Sequence, residues 1–175
     1  ATVAVLQDHA NFTVGQAMQD WQVANAIDSV AIYTAQAPPG PARDHLTKVL
    51  QRAFKVVNST APNPSQCCPG SWGAGNDDVQ WGLFAWVHTY EALGSRPQDF
   101  VLIEAAARYL EWVITNEAVW RTETNGTANQ CGLGYHNEPK YDCNGNVDPQ
   151  DFKNSVTNTQ FLTSAMLLHP FAQRL

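Results

Sequence analysis

The stretch Asp77-Asp78-Val79-Gln80-Trp81-Gly82-Leu83-Phe84-Ala85-Trp86-Val87-His88-Thr89-Tyr90-Glu91-Ala92-Leu93 decides the fold. It has the length of a helix and none of the strict alternation of a half-buried strand. Val79, Trp81, Leu83, Phe84, Ala85, Trp86, Val87 and Tyr90 place apolar groups around most of its circumference, so the helix must be buried on nearly all sides. Such a helix needs others around it.

Working outward, Val14, Ala17, Met18, Trp21, Ala24, Ile27 and Ala31 recur at spacings of three and four, which predicts a first helix from Thr13 to about Ala35. Pro38-Pro39-Gly40-Pro41 breaks it. Leu46, Val49, Leu50, Ala53, Phe54 and Val57 then mark a second helix, whose opposite face carries Arg43, Asp44, Lys48, Arg52 and Lys55. After Gly94-Ser95-Arg96-Pro97 a fourth helix runs to about Asn116, with Phe100, Ile103, Ala107, Leu110, Val113 and Ile114 inward and Glu104, Arg108 and Glu111 outward. Arg121 to Asn146 has no helical period. A fifth helix opens at Asp148-Pro149 and stops before Pro170. Mostly apolar helices alternate with amphipathic ones, the rhythm of concentric helical layers, so the fold class is all-α. Two outer helices are too few to cover the apolar faces of helices one, three and five, and something else is expected to cover them.

With 175 residues the chain fits a single domain, residues 1–175. A formal charge of −6, with only 10 Lys and Arg and none clustered, argues against nucleic acid or an anionic membrane surface and suits a neutral ligand. No apolar run reaches the roughly 20 residues of a membrane span, and Ala1 opens no signal-peptide pattern, so a processed soluble chain is expected. Asn11, Asn58 and Asn125 each head an Asn-x-Ser/Thr glycosylation acceptor. Cys67, Cys68, Cys131 and Cys143 lie in loop-like segments without zinc-site spacing and read as disulfide staples. Four cysteines allow three pairings, and partners outside this chain are also open to the adjacent Cys67 and Cys68. Glycosylation acceptors and staples together predict the secretory route, ending outside the cell or in its wall. Asp142, Asn144, Asn146 and Asp148 alternate as in a calcium loop, but Val147 and Lys153 stand where glycine and glutamate are required. Neither metal nor cofactor is expected.

The candidate chemistry lies in Asp77 and Asp78. Adjacent carboxylates are common in a first helical turn, where they complement the backbone dipole, and Asn76 is a fitting N-cap. A carboxylate pair at a cleft is also what glycoside cleavage requires, one group ionised and one carrying the proton for the departing oxygen, with like charges driving the two affinities apart. Trp72, Trp81 and Trp86 lie close in sequence, and aromatic faces frequently line sugar clefts, though they serve equally well as core. Asn154 and Asn158, four residues apart, share a face of helix five; their amides suit sugar hydroxyls or neighbouring backbone. Lone polar groups such as Asp28, His88 and Tyr90 are expected to be satisfied hydrogen-bond partners rather than catalysts.

The segments Trp21-Gln22-Val23-Ala24-Asn25-Ala26-Ile27-Asp28, Asp77-Asp78-x-x-Trp81 with Ala85-Trp86 and Tyr90-Glu91, and Phe152-Lys153-Asn154-Ser155-Val156-Thr157-Asn158 occur in an order that resembles glycoside hydrolase family 76, the endo-α-1,6-mannanase-like proteins. Cys131-Gly132-Leu133-Gly134 resembles the family's glycine-rich turn, followed here by Tyr135-His136 where a longer glycine run and a tryptophan are the pattern. The resemblance implies an (α/α)6 barrel of which this chain holds about half, the first three inner helices of six, so that the domain is incomplete at its C-terminus. It also implies Asp77 as nucleophile and Asp78 as general acid and base of a retaining reaction, which needs carboxyls about 5 to 5.5 Å apart. Trp72, Trp81, Tyr135, Asn154 and Asn158 are then the sugar-binding residues. Hydrolysis of α-1,6-linked mannan and transfer of its sugars are both implied, since sugar or water can intercept the same intermediate. The competing expectation is a glycan-binding or structural half-barrel without catalysis. In either case the missing half of the barrel, or a second copy of the chain, is the expected protein partner.

Overall fold

The computed structural model describes residues 21–58, 76–115 and 155–175, and these are helical throughout, joined by turns. The helices are α1 (Trp21–Gln36), α2 (Pro41–Asn58), α3 (Asn76–Ala92), α4 (Val101–Thr115) and α5 (Ser155–Leu168), with short 3-10 turns at Pro97–Asp99 and His169–Phe171. The all-α class and the helix boundaries expected within these residues are therefore observed. Residues 13–20 of the expected first helix, the stretch 121–146 expected to lack helix and the expected start of helix five at Asp148 lie outside the described residues.

α3 is the hub and touches each of the other four helices. Val79, Leu83, Ala85, Trp86 and Val87 are fully buried, as its sequence requires. α1 presses Val23, Ala24, Ile27, Val30 and Ala31 into the same core. Behind them α2 contributes Leu46, Leu50 and Ala53, and its Phe54 meets the Trp86 ring edge-on, with centroids 5.1 Å apart. Pro41 opens α2 at a position where its missing N–H costs nothing.

α3 ends in a Schellman arrangement. Gly94 adopts φ +87°, its N–H donates to the Glu91 carbonyl and the Ser95 N–H donates to the Tyr90 carbonyl, satisfying acceptors the helix end would otherwise orphan. The Tyr90 hydroxyl donates back to the Ser95 carbonyl at 2.9 Å, fixing the turn into α4. Tyr90, Phe100 and Phe171 pack edge to face there, with the Arg174 guanidinium 3.8 Å above the Phe100 ring. Because Gln80 near the start of α3 meets α5 at Thr157 and Ser164, and Tyr90 near its end meets Phe171 just beyond α5, α3 and α5 run in the same direction.

α5 departs from the expected pattern. Its buried face carries Thr157, Gln160 and Ser164, while Val156, Leu162 and Met166 are exposed, the last at 67%. Ile114 of α4, expected inward, is 48% exposed. It lines an open apolar groove of about 490 Å³ with Leu110 of α4 and Ala165, Leu168 and Ala172 of the α5 end. Large apolar side chains are thus exposed on α1, at Trp21, Ile32 and Tyr33, as well as on α4 and α5, whereas α3 is covered.

Candidate functional site

Every described side chain of α3 is buried except Asp77, Asp78, Trp81, His88 and Glu91. Asp77, Trp81 and His88 follow at four and seven residues, the spacing of one helix face, so most of the accessible part of this helix is one stripe that begins at Asp77, with Asp78 about 100° around the axis from it.

Asp77 and Asp78 occupy the first turn and are both part-buried. The Asp78 backbone N–H donates to Asp77 Oδ1 at 3.0 Å, so one carboxylate oxygen satisfies an amide that the helix start leaves without an intrahelical acceptor. Part of the capping role expected of any first-turn acid is therefore present. Trp81 stands one turn on, packed edge to face on Phe84 with centroids 5.5 Å apart while its own ring stays part-exposed. It combines a packing contact with an accessible aromatic surface.

Gln80, which the sequence reading passed over, connects this turn to α5. Its side chain is fully buried, its Nε2 donates to the Thr157 carbonyl at 3.3 Å and its Oε1 accepts from the Ser164 hydroxyl at 3.3 Å. Asn158, part-exposed, is the residue after Thr157, so the structure brings the turn bearing Asn158 to the first turns of α3. The sequence marks this seam only weakly: Thr157, Gln160 and Ser164 recur at spacings of three and four, but Asn158, Thr159 and Thr163 of the same helix are polar as well. Gln160 is 5% exposed, and neither of its amide atoms has a partner among the described residues.

Farther along the stripe, His88 Nδ1 and Asp28 Oδ1 of α1 lie 2.5 Å apart. That hydrogen bond raises the His88 pKa above its ordinary 6.5, against the opposing effect of burial; the charges of Asp28 and Glu91 act in the same direction as the bond. The expectation that Asp28, His88 and Tyr90 are satisfied partners holds for all three, since Tyr90 pairs with the Ser95 carbonyl. Trp86, at 0% exposure, is core and not cleft lining.

Trp72, Tyr135, Asn154, the glycosylation acceptors Asn11 and Asn125, and all four cysteines, Cys67, Cys68, Cys131 and Cys143, lie outside the described residues, as does the glycine-rich turn after Cys131. Asn58 is the last residue of α2, with its side chain outside them as well. Among the described residues no group of three or more His, Cys, Asp or Glu side chains is placed to hold a metal, and no helix is long and apolar enough to cross a membrane. No protein-family profile, curated protein or solved structure matches the chain.

Proposed function

We propose that this chain is the helical framework of a secreted carbohydrate-active protein related to glycoside hydrolase family 76, acting on α-1,6-linked mannan with Asp77 as nucleophile and Asp78 as general acid and base. The observation that carries this reading is the exposure pattern of α3. A helix otherwise buried on all sides stays accessible along one stripe that opens at Asp77, beside Asp78, and continues with an accessible tryptophan, while Gln80 between them is tied to the turn of α5 that carries Asn158. A retaining glycosidase needs this combination of paired acid groups, an aromatic sugar platform and amides for hydroxyls.

The half-barrel expected from the resemblance fits the exposed Leu162 and Met166 and the apolar groove beside α5, which a neighbouring helical layer would cover. That layer is the remainder of an (α/α)6 barrel, in the same protein or in a partner. The transfer reaction and hydrolysis share every residue named here.

A second reading has its own support. The contact from Asp77 to the Asp78 amide engages the carboxylate with an N–H at the positive end of α3, and it favours a glycan-binding or structural module in which the pair only stabilises α3. The Asp77→Asn variant separates the two. Under the enzymatic reading it binds mannan but releases no sugar, whereas a wild-type protein that binds mannan and releases nothing establishes the module.

A further inference from the structure

Burying an amide without partners costs a few kcal/mol, so a glutamine at 0% exposure must have its two ends satisfied by fixed geometry. Gln80 does this across a helix interface: its donor end grips the Thr157 carbonyl and its acceptor end takes the Ser164 hydroxyl two turns later on α5. Thr157 and Ser164 are themselves fully buried. Apolar contacts at this seam would hold α5 against α3 but would tolerate sliding and rotation, because dispersion is not directional. A two-ended hydrogen-bonded amide is directional and admits one register.

The location of this tie matters for chemistry. Gln80 lies three residues after Asp77 and two after Asp78, while Thr157 immediately precedes Asn158. We propose that Gln80 is a positioning residue: by fixing the height and rotation of α5 on α3, it sets Asn158 against the carboxylate pair and so determines how a sugar held by Asn158 meets Asp77 and Asp78. The proposal rests on the glycan-cleaving reading. A slip of α5 by one residue would move Asn158 by about 1.5 Å along the axis and about 100° around it. Displacements near 1 Å at a reacting centre can cost on the order of 100-fold in rate.

The test uses the whole protein with α-1,6-mannan as substrate and compares wild type, Gln80→Met, Asn158→Ala and the double variant. Methionine keeps the length and approximate volume of glutamine and removes both hydrogen bonds. Gln80→Met is expected to lower kcat/KM about tenfold in the wild-type background and less than about twofold when Asn158 is already alanine, the coupling expected of a residue acting through another. Losses that multiply independently would overturn the proposal. Ser164→Ala removes only one arm and serves if Gln80→Met fails to fold; it should show the same coupling in smaller measure, and an independent loss there counts equally against the idea. Hydrogen exchange separates this proposal from the functional reading beneath it. If wild type releases no sugar, that reading fails, and the tie is judged by whether Gln80→Met accelerates amide exchange across 157–164 while 81–90 is unchanged. Equal protection of α5 in the variant and wild type would overturn the tie.

Discussion

Raising the pH past the titration of His88 should loosen α1 from α3, and the size of the effect follows from the geometry. A hydrogen bond to a charged group contributes about 1.5–3 kcal/mol when well sheltered. Here the side chains of His88 and Asp28 retain 24% and 17% of their exposure, so solvent screening brings the contribution down to about 1 kcal/mol. The sign is fixed by the direction of the shift: the folded-state pKa of His88 lies above the unfolded value of 6.5, chiefly through its hydrogen bond to Asp28. The stabilisation is therefore fully present below about pH 6.5 and is lost as pH rises through the raised folded-state value. Thermal unfolding of wild type and of His88→Gln across pH 5 to 9 reads this directly. For a chain of this length, about 1 kcal/mol corresponds to about 2–4 °C in Tm. Wild type should exceed the variant by that margin at the acid end and converge on it at the alkaline end. A constant difference between the two proteins across the whole range would refute the reasoning, because a neutral glutamine cannot follow the titration of an imidazole.

Other consequences are read as stabilities. Trp86→Ala empties the fully buried centre of the core beside Phe54 and should cost about 3–5 kcal/mol in denaturant unfolding. Gly94→Ala meets no neighbouring atom within 4 Å, so its effect is backbone strain alone at φ +87°, about 1 kcal/mol by the same assay. Leu162→Ser changes an exposed apolar side chain and should shift the stability of this chain by no more than about 0.5 kcal/mol. A larger loss would mean that something already covers α5.

Much of the helical framework was legible because its signals are local. The apolar girth of residues 77–93 places α3 within a residue of its observed bounds, and the stripe through Leu46, Leu50 and Ala53 identifies α2, whose start at Pro41 lies five residues before the first apolar marker; Gly94 marks a boundary by backbone chemistry alone. α5 was harder. Thr157, Gln160 and Ser164 are buried while Val156, Leu162 and Met166 are exposed, an orientation held by the pairing of Gln80 with Thr157 and Ser164, and period alone does not say which face a helix buries. Ile114 misled for a related reason: its spacing matches the buried positions of α4, but no described helix covers it, and it lines an open groove. At the site, the pair Asp77 and Asp78 announced itself by composition. The Gln80 tie and the bond between Asp28 and His88 join residues 77 and 60 positions apart and emerge only in three dimensions.

The most direct test is to follow the anomeric configuration of sugars released from α-1,6-mannan by proton NMR, for wild type and for Asp77→Asn and Asp78→Asn. The account predicts release with the α anomer formed first, and a loss on the order of 10⁴-fold in each variant. Release of the β anomer first, or the same low yield from all three proteins, would contradict it.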